Sequence, residues 1–341
     1  MSSKQESVAK MVWLLKIISL LIILLPSYTF GGGRTGCSFL KIATGGRCVG
    51  MGEVGAAVSD DVNSANWNPA GLTLINEPEF SFMHSEWLQS INYDYLSYAQ
   101  PLEKKNGVIA ISFCSITMDR IDGYDDRGEH TDKIEASDFA WVISYAQEIK
   151  TWSRKQINLS GGVNLKFIQE DLDDETGKAT ALDAGILCRL PIHCLYCSTV
   201  SSSTKNGNSR VPMLRMGISV QNIGNGIEFF EEKAPLPRNI KLGLSFSAMD
   251  NLLIAGLDYN IPYLENPRLN IGLEYKYWDM LTIRSGYVFG LDVGDGLRAG
   301  VGLKYRRFQL DYAFAPYGDL GNTHRINLKM SFLNIIPISP W

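Results

Sequence analysis

The sequence predicts an all-β fold: a 14-stranded antiparallel transmembrane β-barrel plugged by a small N-terminal hatch with short helices. Three observations predict it. From about residue 78 to the end, apolar and polar residues alternate in about fourteen stretches, each about the length of a membrane-crossing strand. The chain opens with an export signal. No later stretch is long and apolar enough to span a membrane as a helix, so a chain resident there must satisfy its backbone as a closed barrel.

Taken in order, residues 1–30 place Lys4, Lys10 and Lys16 around an apolar run from Met11 to Leu25, followed by Pro26. The run is about 15 residues where a spanning helix needs about 20. It reads as a secretory signal peptide cut near Phe30 or Gly31, with a single membrane anchor as the alternative. Residues 31–77 do not alternate. They hold Gly45, Gly46, Gly50, Gly52 and Gly55, a small-residue stretch from Ala56 to Ala65, and then Trp67 to Leu72. Such a segment reads as a compact hatch, with short helices expected over 50–59 and 64–75.

The barrel is expected over residues 78–334, with strands at 78–87, 91–101, 107–118, 137–148, 156–169, 179–190, 211–222, 239–249, 251–261, 268–279, 281–289, 297–306, 307–316 and 324–334. The alternation is plainest late in the chain. Leu253, Ala255, Leu257, Tyr259 and Ile261 interleave with Ile254, Gly256, Asp258 and Asn260, and Ile326, Leu328, Met330 and Phe332 interleave with Asn327, Lys329 and Ser331. The last run ends on an aromatic residue, like the closing strand of an outer-membrane barrel. If the plug starts on the periplasmic side, connections after odd strands face outward. Turns near Asp250, Asp279 and Arg307 read as tight, and loops near Asp126, Asp174 and Glu231 as long. The connection 191–210 is long where a short one is expected, and 335–341 form a C-terminal tail.

A net charge of -4 argues against nucleic acid as a partner, because phosphate binding rests on a basic face. The charge is segregated: segments 119–136, 170–178 and 223–238 hold 15 Asp or Glu against 6 Lys or Arg. Segments 101–107, 149–155 and 191–210 reverse this, with Lys104, Lys105, Lys150, Arg154, Lys155, Lys205 and Arg210 against Glu103. One rim is expected to be acidic and the other basic. The acidic loops read as solvated, with divalent-cation bridging of lipopolysaccharide as the sharper alternative. Among the six cysteines, Cys37 with Cys48 and Cys194 with Cys197 are the nearest pairs. An exported compartment permits bonds without establishing these.

Candidate chemistry is sparse. Gly50, Gly52 and Gly55 spell GxGxxG but lack the parallel strand-helix unit that a dinucleotide site needs, so no cofactor is expected and close packing of hatch on wall is the better reading. Asp60 and Asp61 can hold a cation or accept hydrogen bonds in the lumen, with Arg47 a natural partner. Trp67, Asn68 and Pro69 suggest an aromatic wedge beside a turn that Asn68 bonds and Pro69 stiffens. His84, His130, His193 and His324 are scattered and no strained nucleophile motif accompanies them, so the chain is not expected to be an enzyme, and no metal site is expected.

Residues 36–72 resemble the signature of the PorV/PorQ family of outer-membrane proteins. The match joins Phe39, Leu40, Lys41 and Ile42, then Arg47, Met51, Gly52 and Glu53, then Asp60 and Asp61, then Trp67 to Leu72. Ala234 to Leu236 with Pro237, Leu242 and Gly243 look like a second family element. That family is related to FadL-type transporters, plugged barrels whose hatch carries an Asn-Pro-Ala motif, here Asn68, Pro69 and Ala70. The resemblance implies an outer-membrane barrel, embedded in outer-membrane lipid, without a wide channel, with Arg47, Glu53, Asp60, Asp61, Trp67, Asn68, Pro69 and Ala70 as hatch candidates. Two functions follow from it: docking of secreted proteins or secretion machinery in type IX-like protein secretion, or passage of a hydrophobic small molecule.

Overall fold

Alternation at period two puts one set of side chains on each face of a strand, and a sheet in hydrocarbon can leave no edge unpaired. The computed structural model meets both demands. It describes residues 34–103, 107–124, 127–152, 157–173, 175–192, 212–229, 232–291 and 294–332. The proposed signal peptide, the connection 193–211 with Cys194 and Cys197, and the tail 335–341 lie outside the described residues.

The wall consists of β1 (Glu79–Glu86), β2 (Asn92–Pro101), β3 (Val108–Thr117), β6 (Ala136–Trp152), β7 (Ile157–Leu172), β8 (Glu175–Pro191), β9 (Met213–Gly224), β12 (Asn239–Ala248), β13 (Leu253–Pro262), β14 (Arg268–Tyr277), β15 (Leu281–Phe289), β16 (Leu297–Tyr305), β17 (Phe308–Pro316) and β18 (Asn322–Ser331). Two hairpins branch from it: β4 (Ile121–Tyr124) with β5 (His130–Ile134), and β10 (Ile227–Phe229) with β11 (Glu232–Ala234). Fourteen strands follow one another round a closed barrel, and β1 pairs antiparallel with β18, Phe82 opposite Leu328. Each expected strand has its counterpart.

Side chains sort as the alternation requires. Ile143, Val163, Leu182, Ile218, Leu273, Ile283, Leu303 and Ile326 stand on the outer face, while Ser97, Asn164, Asp183, Ser219, Asp258, Glu274, Arg284 and Asn327 are buried inside. Exposed aromatic residues gather toward both ends, Tyr277, Trp278 and Tyr305 at one and Tyr263, Tyr287 and Phe289 at the other, as in the girdles of membrane barrels. The segregated charges sort by end too. The acidic segments all join strands at one end, and the basic connections 101–107 and 149–155 lie at the opposite one.

Four expectations need correction. Residues 170–178 are not a long loop: β7 and β8 run on to Leu172 and Glu175 and leave two residues between them, with Asp173 at φ 54°. Segments 119–136 and 223–238 carry the short hairpins, whose apolar content is too low for period two to stand out. The helix expected over 50–59 falls earlier, at Gly46–Gly50, because Gly52 (φ 73°) and Glu53 (φ 61°) turn the chain out of helical geometry. The expected 64–75 helix divides into Ser64–Trp67 and a 3₁₀ segment Pro69–Leu74, broken where Asn68 is extended at φ −153°.

Candidate functional site: the hatch and its seat

Inside the barrel the hatch begins at the end bearing the hairpins and runs down to the tight-turn end before β1. Its described start is therefore at the long-loop end, opposite to the periplasmic start supposed from sequence. The Gly36 N–H donates to Pro235 O at 3.0 Å, and Lys41 Nζ meets Glu265 Oε1 of the β13–β14 connection at 2.7 Å.

The hatch backbone lies on a track of wall glycines. A methyl group at Gly300 would stand 3.0 Å from Gly50 Cα, at Gly286 2.2 Å from Gly52 N, and at Gly272 2.1 Å from Met51 O. Further along the same track, Gly217 would meet Ala56 O at 2.0 Å and Gly162 would meet Pro69 C at 2.4 Å. Gly243 and Gly217 are register partners, as are Gly256 and Gly272, Gly272 and Gly286, and Gly162 and Gly185. Their alignment lays short runs of glycine along the inner wall beneath the hatch. The hatch's GxGxxG glycines serve the same close approach: a methyl at Gly50 would lie 2.8 Å from Gly300 Cα, and one at Gly55 2.3 Å from the Trp67 ring.

Charge holds the segment on that track. Four hatch side chains each bond a charge on a different wall strand. Arg47 makes a bidentate pair with Glu274, Nε to Oε2 at 2.8 Å and Nη2 to Oε1 at 2.9 Å. Arg298 Nη2 donates to Glu53 Oε1 at 3.1 Å, Arg215 Nη1 to Asp60 Oδ2 at 3.1 Å, and Lys329 Nζ to Asp61 Oδ2 at 3.1 Å. Arg47 also pairs with Asp60, and Arg284 bridges Glu274 (2.6 Å) to Asp311 (2.7 Å). Burial by itself would raise the Asp60 pKa, but the Arg47 and Arg215 guanidinium groups outweigh it and hold the carboxyl well below the usual range. Asp258 of β13 accepts from the N–H groups of Gly55 and Ala56, each at 2.8 Å.

The Asn-Pro-Ala turn is the second fastening. Asn68 Oδ1 accepts from the Ala70 N–H at 3.1 Å, and its Nδ2 donates to Ala56 O at 2.8 Å and to Ile186 O of β8 at 3.1 Å. Pro69 and Ala70 are fully enclosed beside Gly162. Trp67 is buried, donates from Nε1 to Thr44 O at 3.1 Å, and carries Lys241 Nζ 4.2 Å from its ring centre. Thus all eight candidates read from sequence sit in the hatch-wall contact. Replacing Asn68 and Pro69 by Ala removes three hydrogen bonds, each worth about 1 kcal/mol. The variant should show raised outer-membrane permeability to small dyes, and wild-type permeability would refute this role.

Sequence reasoning missed the wall half of the site: Arg215, Asp258, Glu274, Arg284, Arg298 and Lys329. The signal was present, since each is a charge at an inward position of a membrane strand. Elsewhere, His84 and His324 lie on the outer wall, bonded to Asp94 Oδ1 (2.8 Å) and the Tyr312 hydroxyl (2.7 Å). Cys37 and Cys48 are buried free thiols, so that pair is not a disulfide here.

Fold and site together define a plugged transmembrane β-barrel of the outer membrane. The chain belongs to the PorV family: the family model described as type IX secretion system protein PorV matches residues 33–260. A comparison with curated proteins found no match. Among solved structures the chain resembles the Ralstonia pickettii toluene transporter TbuX, at 12% identity and TM-score 0.50 over 85% of this chain and 98% of that one. It also resembles a Pseudomonas aeruginosa FadL homologue, at 10% identity and TM-score 0.49 over 85% and 98% of the two chains. At these identities the likeness is one of fold. The family model describes a secretion-system protein, a non-enzymatic kind.

Proposed function

We propose that this barrel serves protein secretion by docking protein partners, exported proteins or secretion components, at its long-loop end. The observation that carries the reading is the filled, charged lumen. The hatch is pinned by ion pairs to β9, β14, β16 and β18, which suits a rigid platform better than a conduit for greasy molecules. Among the described residues the elaborated parts lie at one end, towards which β7 and β8 run on, 16 and 17 residues long against the about 9–11 that cross a membrane. The acidic hairpins stand beside them.

The alternative, passage of a hydrophobic small molecule, draws support from an interruption in the β8–β9 ladder between Leu182 and Ala184, close to the Asn68 turn. That interruption is filled by polar contacts. Asp183 accepts from Asn222 N (2.8 Å) and Asn164 Nδ2 (2.7 Å) and pairs with Lys166 (2.8 Å). An apolar depression lined by Leu244, Phe246, Leu257, Leu273, Tyr287 and Leu297 lies on the outer face, in contact with lipid rather than lumen.

Replacing residues 121–134 by a short Gly-Ser linker should leave a folded barrel while secretion of type IX cargo by the native host falls severalfold. Unchanged secretion together with reduced uptake of an aromatic hydrocarbon would reject docking in favour of transport.

A further inference from the structure

A second cavity-forming region lies above the hatch, on the long-loop side. The space, about 80 Å³, is lined by hatch residues Lys41, Glu53 and Trp67, by wall residues including Lys241 and Asn260, and by Arg238 just before β12. Its charges are not balanced. Glu53 is held by Arg298, and Glu265 by both Lys41 (2.7 Å) and Arg268 (3.2 Å). Lys166 is matched by Asp183. Arg238 and Lys241, by contrast, form no ion pair among the described residues. Arg238 stacks on Tyr263 at 5.6 Å and Lys241 on Trp67 at 4.2 Å. The groups named leave a surplus of three positive charges, and buried Asp258, which attracts Lys241, reduces it to two.

The polar lining is unsatisfied as well. Asn239, Asn260 and Asn270 each keep a buried Oδ1, and Arg268 a buried Nε, without a hydrogen-bond partner. Asn270 and Asn260 are 98% and 91% removed from solvent by the barrel wall and hatch, with residual exposures of 2% and 9%. Buried polar atoms are paired in nearly all native proteins, and an orphan costs about 1–3 kcal/mol. Four in one small wall, next to two unpaired cations, mark a place built to receive something. Three orphan acceptors call for hydroxyl donors, and the cations call for an anion. Size bounds it further: at 10–15 Å³ for each water-sized group the space accepts about five to eight non-hydrogen atoms.

We propose that this cavity binds a small hydroxylated carboxylate of the size of a three-carbon hydroxy acid. Its carboxylate faces Lys241 and Arg238, and its hydroxyls reach the amide oxygens of Asn239, Asn260 and Asn270 as these side chains adjust to it. The site is independent of the secretion reading, since it faces the lumen and not the hairpins.

The test is calorimetric titration of the detergent-solubilised full barrel with glycerate, with glycerol as a neutral match, propionate as an anion without hydroxyls, and glycerol 3-phosphate as a larger phosphate-bearing anion. Glycerate should bind in the millimolar range or tighter. Glycerol, propionate and glycerol 3-phosphate should each bind about tenfold more weakly or not at all, the loss expected for one hydrogen bond to a charged group. Lys241→Met should weaken glycerate by a similar factor and Lys241→Arg should retain it, with heat-modifiable gel migration showing that both variants are folded. If either variant misfolds, Asn260→Leu supplies the same comparison. No glycerate binding at millimolar concentration would mean a cavity holding water only and would overturn the proposal. Equal binding of glycerol would overturn it too, as would tighter binding of the phosphate ester or undiminished binding to a folded Lys241→Met barrel.

Discussion

Leucine in place of Gly286 should yield a barrel that cannot seat its hatch. Gly286 is the point of closest approach on β15, where even a methyl group would stand 2.2 Å from Gly52 N and 2.3 Å from Met51 C. Both contacts are with backbone, so no side chain can swing aside to make room. Overpacking of ordinary cores costs about 1–3 kcal/mol and occasionally more. Here the cost should sit at or above the top of that range, because Gly52 has a positive φ and Gly272 on the neighbouring strand forbids the hatch from sliding sideways. The expected phenotype is a lower unfolding midpoint, rapid proteolysis of the hatch and increased small-solute permeability. Gly128→Asn, in an open loop with nothing within 4 Å of a new Cβ, is the matched control. A Gly286→Leu protein with wild-type midpoint and permeability would show that the glycine track does not seat the hatch.

Glu274→Leu should be nearly as damaging, for an electrostatic reason. The carboxylate is shared by Arg47 of the hatch and Arg284 of β15, with three contacts of 2.6 to 2.9 Å. Removing one member of a buried ion network costs about 3–5 kcal/mol, since the partners stay buried with charge uncompensated. The lower part of that range is expected, because Arg47 keeps Asp60 and Arg284 keeps Asp311. Glu274→Gln retains one acceptor oxygen and the shape, so it should lose less. Thermal unfolding of the two variants side by side checks this order, and equal midpoints for Leu and Gln would contradict the ionic account. Because Arg47 is the hatch's contribution, the Leu variant should also gain transient conductance steps in planar bilayers.

Much of this molecule could be read without coordinates. Period-two alternation located every wall strand, since each outward position faces lipid and each inward one faces a polar interior, so the pattern is imposed residue by residue. Leu273, Glu274 and Tyr275 show the rule in three consecutive letters. The hatch was legible for a different reason. Gly50, Gly52 and Gly55 break alternation, and the pairing of Arg47 with Asp60 is a local choice over 13 positions. What escaped were features in which periodicity is weak, such as the hairpins β4–β5 and β10–β11, and the split of the helical stretch at Asn68.

The sequence by itself therefore determined the barrel, its strand number and the composition of its plug, because those follow from near neighbours along the chain and from the solvent on each face. Only the tertiary structure decided which wall residue meets which hatch residue. Glu274 lies 227 positions from Arg47, Lys329 268 positions from Asp61, and Gly286 falls opposite Gly52 only once register and closure are set. Strand register converts those separations into contact distances, and register is a property of the closed cylinder as a whole.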